Sequence, residues 1–201
     1  MINEIKNFLW ALKRWKLRVV VDACILLNKD DLKKLKYLRH VFIPRAVQEQ
    51  ISRMVLQTDT DGTSEARGQQ LAAEIESEML EKIKKGKWKV IGSTGTGLLQ
   101  SIENKKLGEF DQEIVKQLEK LYKRKKEIWN EKREKLELAP LKFDSQLILK
   151  DLIGSTDLRI IATCLNLKRT TPNFYLITRD KTLAILAKTF RIDVKERAKD
   201  L

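Results

Sequence analysis

The sequence predicts an α/β protein built on a central, mainly parallel sheet. Three observations carry that expectation. Short runs of β-branched and apolar residues (Val19–Val20–Val21, Val41–Phe42–Ile43–Pro44, Phe174–Tyr175–Leu176–Ile177) have the continuous apolar character of strands buried on both faces. Segments with helical periodicity separate them. Acids close the strands: Asp22 directly follows the first run, and Asp180 follows the last after two intervening residues.

The chain begins with a predicted helix over residues 2–17, with Ile5, Leu9, Leu12 and Trp15 on one face and Lys6, Lys13, Arg14, Lys16 and Arg18 adding charge. Trp10 and Trp15 dock such a helix on the body more readily than they stack on bases. After the first strand and Asp22, the apolar segment Ala23–Cys24–Ile25–Leu26–Leu27–Asn28 opens a helix. In the second strand Pro44 suits the first turn of the helix that follows. There Val47, Ile51 and Met54 or Val55 make the buried stripe, and Glu49 falls off it, facing solvent or a cleft.

Residues 59–140 read as a helical insertion in a single domain spanning 1–201. A polar loop at 58–64 leads to a helix with Ala72, Ile75, Met79 and Ile83 in register, closed by Gly86. Trp88–Ile91 reads as a strand. The Gly92–Gly97 loop lacks the Gly-Lys-Ser/Thr ending of a phosphate loop and the GxGxxG spacing. From Glu109 to Glu137 runs one long helix, or two with a break, whose middle carries Lys123, Arg124, Lys125 and Lys126 in succession. Such a surface either contacts phosphates or is laced by pairing with Glu119, Glu127 and Glu131.

The last quarter holds two further site elements. Ser155 or Thr156 is expected to cap a helix with Leu158, Ile161, Ala162 and Leu165 inward, placing Asp157 in its first turn. The final strand ends at Thr178–Arg179–Asp180, and a helix with Leu183, Leu186, Ala187 and Phe190 inward follows.

The net charge of +13 over 201 residues favours a polyanion as partner, nucleic acid before a membrane surface. No apolar run approaches a transmembrane span, and the N-terminus lacks a signal core, so a cytoplasmic protein is expected. Cys24 and Cys164 lie in apolar surroundings without a C-x-x-C partner and read as reduced, buried thiols. His40 is the single histidine, which excludes chemistry needing a histidine pair and a multi-histidine zinc site. Any catalysis falls to carboxylates, hydroxyls, Lys, Arg or a hard metal.

Parallel strands would bring Asp22, Asp157 and Asp180 to one sheet edge, with Glu49 able to join from the second helix. Four carboxylates gathered in low dielectric repel one another unless cations neutralise them, and all-oxygen donors select Mg²⁺ or Mn²⁺ over zinc. Val19–Asp22, Ile43–Pro44 with Glu49, Ser155–Ala162 and Leu176–Lys181 together resemble the four motifs of PIN-domain nucleases. The match covers 18–57 and 141–196, and its last two motifs are the most specific.

The resemblance implies a three-layer α/β/α sandwich and a Mg²⁺- or Mn²⁺-dependent endonuclease, a phosphodiester hydrolase acting on RNA in preference to DNA. The family's catalytic and metal-holding Asp, Glu, Asp, Asp set carries over to Asp22, Glu49, Asp157 and Asp180. Thr178 matches the hydroxyl that lines the site. Arg159, Arg179 and Lys181 stand beside the acids as candidates for holding the scissile phosphate or for balancing the acidic charge. This chain has Ala23–Cys24 where the family commonly has Thr-Asn or Thr-Ser, and Gln50 competes with Glu49 for the second motif's position. The alternative is a degenerate PIN-like fold that binds nucleic acid or protein without cutting. The helical insertion offers a surface for a homodimer or a protein partner.

Overall fold

The computed structural model describes residues 5, 16–56, 64–92, 96–137 and 143–201, apart from the side chains of 64–67, 96, 124–129 and 131–133. Five strands form one sheet: β1 (Arg18–Val21), β2 (His40–Pro44), β3 (Trp88–Ile91), β4 (Tyr175–Ile177) and β5 (Val194–Lys195), in the order β3-β2-β1-β4-β5. Every strand pairing is parallel. Val19, Val20 and Val21 are wholly buried, as a central strand covered on both faces requires. The expected three-layer α/β/α architecture is the observed one. Right-handed crossovers that run left from β1 and right towards β5 place their helices on opposite faces.

Nine α-helices are described: α1 (Ala23–Leu26), α2 (Lys29–Leu35), α3 (Arg45–Leu56), α4 (Ser64–Lys84), α5 (Thr96–Glu103), α6 (Gln112–Glu134), α7 (Leu149–Leu152), α8 (Ser155–Thr170) and α9 (Lys181–Thr189). One-turn 3₁₀ helices occupy Leu107–Glu109 and Ala198–Asp200.

The 59–140 span is less of an appendage than its composition implied. It contains β3, hydrogen-bonded to β2 from Val41↔Trp88 to Pro44↔Ile91, and α4, which packs along α3 through buried Ala72, Ile75 and Met79. Those residues complete the sheet and its β2–β3 crossover.

The long helix starts three residues later than the pattern predicted. Phe110 is extended and Asp111 accepts a hydrogen bond from the Glu113 amide at 2.9 Å, so the turn closes there. The first half of α6 docks on the body through Leu118 and Tyr122, and α6 packs on α9. Tyr122 meets Phe143 with ring centroids 5.3 Å apart, and Phe110 meets the edge of Phe190 at 6.2 Å. No described helix is long and apolar enough to cross a membrane. The helix expected at 2–17 lies outside the described residues except for Ile5, Lys16 and Leu17, as do residues 58–63 of the polar loop.

Candidate active site

The strand order runs outward from β1 in both directions, to β2 and β3 on one side and to β4 and β5 on the other. The gap opened above β1 and β4 is therefore a topological switch point, where open α/β sheets hold their ligands. Val21 and Ile177 are register partners at the ends of these two strands. The next residues, Asp22 and Thr178, are thus delivered side by side by backbone geometry.

Asp22 is 7% exposed and caps α1. Its Oδ1 accepts a hydrogen bond from the Ala23 amide at 2.6 Å. Its Oδ2 accepts from the Thr178 hydroxyl at 2.8 Å and from the Cys24 thiol at 2.9 Å. Three donors fix the carboxylate, and none of them carries a positive charge. The Ala23–Cys24 departure from the family pattern thus still supplies a polar contact. Burial, then the neighbouring Asp22 charge, pushes the Cys24 thiol up to about 12, so it stays protonated and donates. The Arg179 amide in turn donates to the Cys24 sulfur at 3.3 Å.

Thr178 is fully buried and serves both sides. It donates to Asp22 and accepts from the Asp180 amide at 3.0 Å. Asp180 caps α9, its carboxylate accepting from the Leu183 amide at 2.9 Å. The Thr-x-Asp spacing has a mechanical reason: the hydroxyl ties the strand end to the helix start.

Asp157 sits in the first turn of α8, as expected, but neither Ser155 nor Thr156 caps the helix. Gly154 is the cap, its carbonyl accepting from the Leu158 amide at 3.2 Å, and Ser155 is already helical. A Cβ at Gly154 would come 3.9 Å from Asp157 Oδ2, which places this carboxylate over the helix start.

Glu49 has a different environment. The Arg159 guanidinium grips it bidentately, Nη1 donating to Oε2 at 2.7 Å and Nη2 to Oε1 at 3.2 Å. This pair bridges α3 and α8. Hydrogen bonding from Arg159 holds the Glu49 carboxyl below the usual carboxylate range, and the same bond raises Arg159. Glu49, with Gln50 beside it, faces the half-buried side of α3 rather than its buried stripe.

The remaining cationic candidates divide. Arg179 is turned to Asp31, donating through Nε at 3.0 Å and through Nη2. Lys181 is exposed at the start of α9. Lys123 is exposed and pairs with Glu119 at 3.3 Å, while the side chains of Arg124, Lys125 and Lys126 lie outside the described residues. Asp31 is the residue that the motifs did not expose. It is 3% exposed and also accepts from the Ala198 amide at 2.9 Å, joining α2, the β4–α9 turn and the C-terminal 3₁₀ helix. Its only sequence signal was position: Asn28 caps α2, which sets Asp31 three residues into an amphipathic helix.

The donor chemistry at the sheet edge suits a hard divalent cation, since every candidate ligand is a carboxylate oxygen. The arrangement is not a closed cage. Among the described residues, no group of three or more His, Cys, Asp or Glu side chains is gathered in a way that could hold a metal ion. Glu49 faces a guanidinium instead.

Asp22, the buried Thr178 and Asp180 thus meet at the switch point of a parallel α/β sheet. The chain belongs to the PIN-domain family: the family model described as PIN domain matches residues 19–197. PIN domains are generally nucleases that use divalent metals. No curated protein matches the chain.

Proposed function

We propose that this protein is a metal-dependent endonuclease that hydrolyses phosphodiester bonds, with RNA as the favoured substrate. The observation that carries the reading is the meeting of Asp22 with Thr178 at the β1/β4 switch point of a PIN-domain sheet. Asp22, Asp157 and Asp180 are not gathered into a cage here, and would hold Mg²⁺ or Mn²⁺ by closing on the ion, with Glu49 joining once Arg159 releases it. When bound, such a cation supplies Lewis-acid stabilisation of charge developing on the phosphate.

The chain's own residues set the conditions for that binding. Neutral donors orient the Asp22 carboxylate while leaving its charge uncancelled. Thr178 locks the relative positions of β1 and the start of α9. The positive surface, a net +13, draws a polyanion towards the acidic edge. Lys181 at the start of α9 stands ready to meet a phosphate, whereas Arg179 is committed to Asp31.

The test is cleavage of labelled single-stranded RNA and DNA with Mg²⁺, with Mn²⁺ or with chelator. Metal-dependent cutting of RNA supports the proposal. Absence of cutting by folded protein with either cation, on either polymer, defeats it in favour of a binding module.

A further inference from the structure

A second feature lies beside the sheet edge. Along α3 runs an open cleft of about 470 Å³ lined by Arg45, Gln48, Glu49, Ser52, Arg53 and Leu56. Arg45, Glu49 and Arg53 are spaced four residues apart, so they form one stripe along the helix. From Arg45 to Arg53 the helix rises about 12 Å, a span that crosses roughly three phosphates of a stacked strand rising ~3.4 Å each.

The charges on this stripe do not cancel. The carboxylate between the two arginines is already neutralised, because Arg159 holds both of its oxygens. Arg53 is braced against its own helix, its Nε donating to the Glu49 carbonyl at 3.3 Å. Ser52 donates to Glu76 on α4, which fixes the cleft wall. Arg45 and Arg53 are both exposed. Arg45 is the first residue of α3 and directly follows Pro44 at the end of β2, one strand from Asp22. The cleft therefore starts at the edge where the acids lie and leads away from it.

We propose that the α3 cleft is a phosphate-binding track that seats the backbone of a single nucleic-acid strand and delivers it to the acidic edge. The inference deepens the nuclease reading and rests on it for the direction of the strand. Guanidinium groups suit phosphate oxygens bidentately, and backbone contacts position a strand without reading its bases. An acidic peptide is the competing occupant. Nucleic acid is favoured because the track opens onto the candidate phosphodiester site.

The experiment measures binding of fluorescent single-stranded RNA by anisotropy in chelator, across a salt series, so that no cutting intervenes. Arg45→Gln with Arg53→Gln should weaken binding at least ~10-fold and reduce the salt slope by about 1.4, near 0.7 for each phosphate that is no longer neutralised. The charge-matched control is Arg169→Gln with Lys188→Gln, exposed positions at the far ends of α8 and α9, on the opposite sheet edge. That control should leave both values near wild type. Arg53→Gln alone should lower the slope by about half as much, which keeps the test informative if the double variant misfolds. Equal affinity and slope in the cleft variant overturn the track, as does an equal loss in the control. Competition by poly-glutamate as effective as that by RNA also overturns it. A wild type that binds through the cleft and never cuts defeats the nuclease reading alone. A wild type that cuts with metal while the cleft variant binds normally defeats the track alone.

Discussion

Asp22 and Glu49 are two carboxylates expected to serve one purpose, and the fold treats them in opposite ways. Asp22 is buried and held by an amide, a hydroxyl and a protonated thiol. Glu49 is 41% exposed at its side chain and clamped by a guanidinium. Neutral donors orient an acid without cancelling its charge, whereas an ion pair orients it and cancels the charge. The first arrangement keeps an anion available for a cation or a polar transition state. The second makes Glu49 contingent on Arg159. Asp31 marks a third case, a buried acid spent on structure, joining Arg179 to the Ala198 amide.

The largest effect that would break this comparison is on catalysis. Asp22→Asn keeps the shape and most of the hydrogen bonding but removes the charge, and should cut RNA cleavage at least ~100-fold in a folded protein. Single-turnover kinetics with Mn²⁺ reads it. Cleavage within a few-fold of wild type would mean that the buried acid is only a helix cap.

Thr178→Val tests the hydroxyl that joins the two acids. It strands the Asp180 amide and removes one donor from Asp22, at a cost of about 1–3 kcal/mol in urea unfolding. Thr178→Ser should recover most of both stability and activity. Equal losses for Ser and Val would implicate packing of the methyl group instead.

Asp31→Ala should destabilise by about 1–3 kcal/mol, because the Ala198 amide loses its acceptor while the half-exposed Arg179 can turn to water. The metal dependence of cleavage should keep its midpoint. A shifted midpoint would move Asp31 from scaffold to site.

The smallest effect concerns the Glu49–Arg159 pair. Its folded-state acidity is increased, so the pair stabilises above the ordinary Glu pKa of about 4.3. That stabilisation is lost as pH falls through the lowered folded value. Arg159→Gln should therefore melt slightly below wild type at pH 6, by no more than ~1 kcal/mol given the exposure of the pair. The two proteins should converge as pH falls through that lowered value. A gap that persists once the carboxyl is fully protonated would show packing of Arg159, rather than the ion pair, to be responsible.

Much of this molecule was legible locally. Strand runs that are apolar on both faces, such as Val19–Val21, allow only a covered position in a sheet, and the acids that follow fall where strands end. The Thr178-x-Asp180 spacing held because it is a local device, a strand tied to the helix after it by one hydroxyl. The family motifs likewise depend on short spacings and were readable. What the sequence determined by itself was thus the parallel α/β class, the first four strands and the positions of the acids along the chain, whereas β5, α2, α5 and α7 went unread.

Tertiary structure decided which acids are partnered, and by what. Arg159 reaches Glu49 across 110 residues, and Arg179 reaches Asp31 across 148. No periodicity reports a meeting of elements so far apart. The status of β3 was hidden in the same way: Trp88–Ile91 reads as a strand, but membership of the sheet depends on hydrogen bonds to β2. Composition placed it in an insertion because charged helices surround it. Sequence spacing determines what one element presents on each face. Only the packing of elements against one another determines whether a presented carboxylate meets a neutral donor, a guanidinium or open solvent.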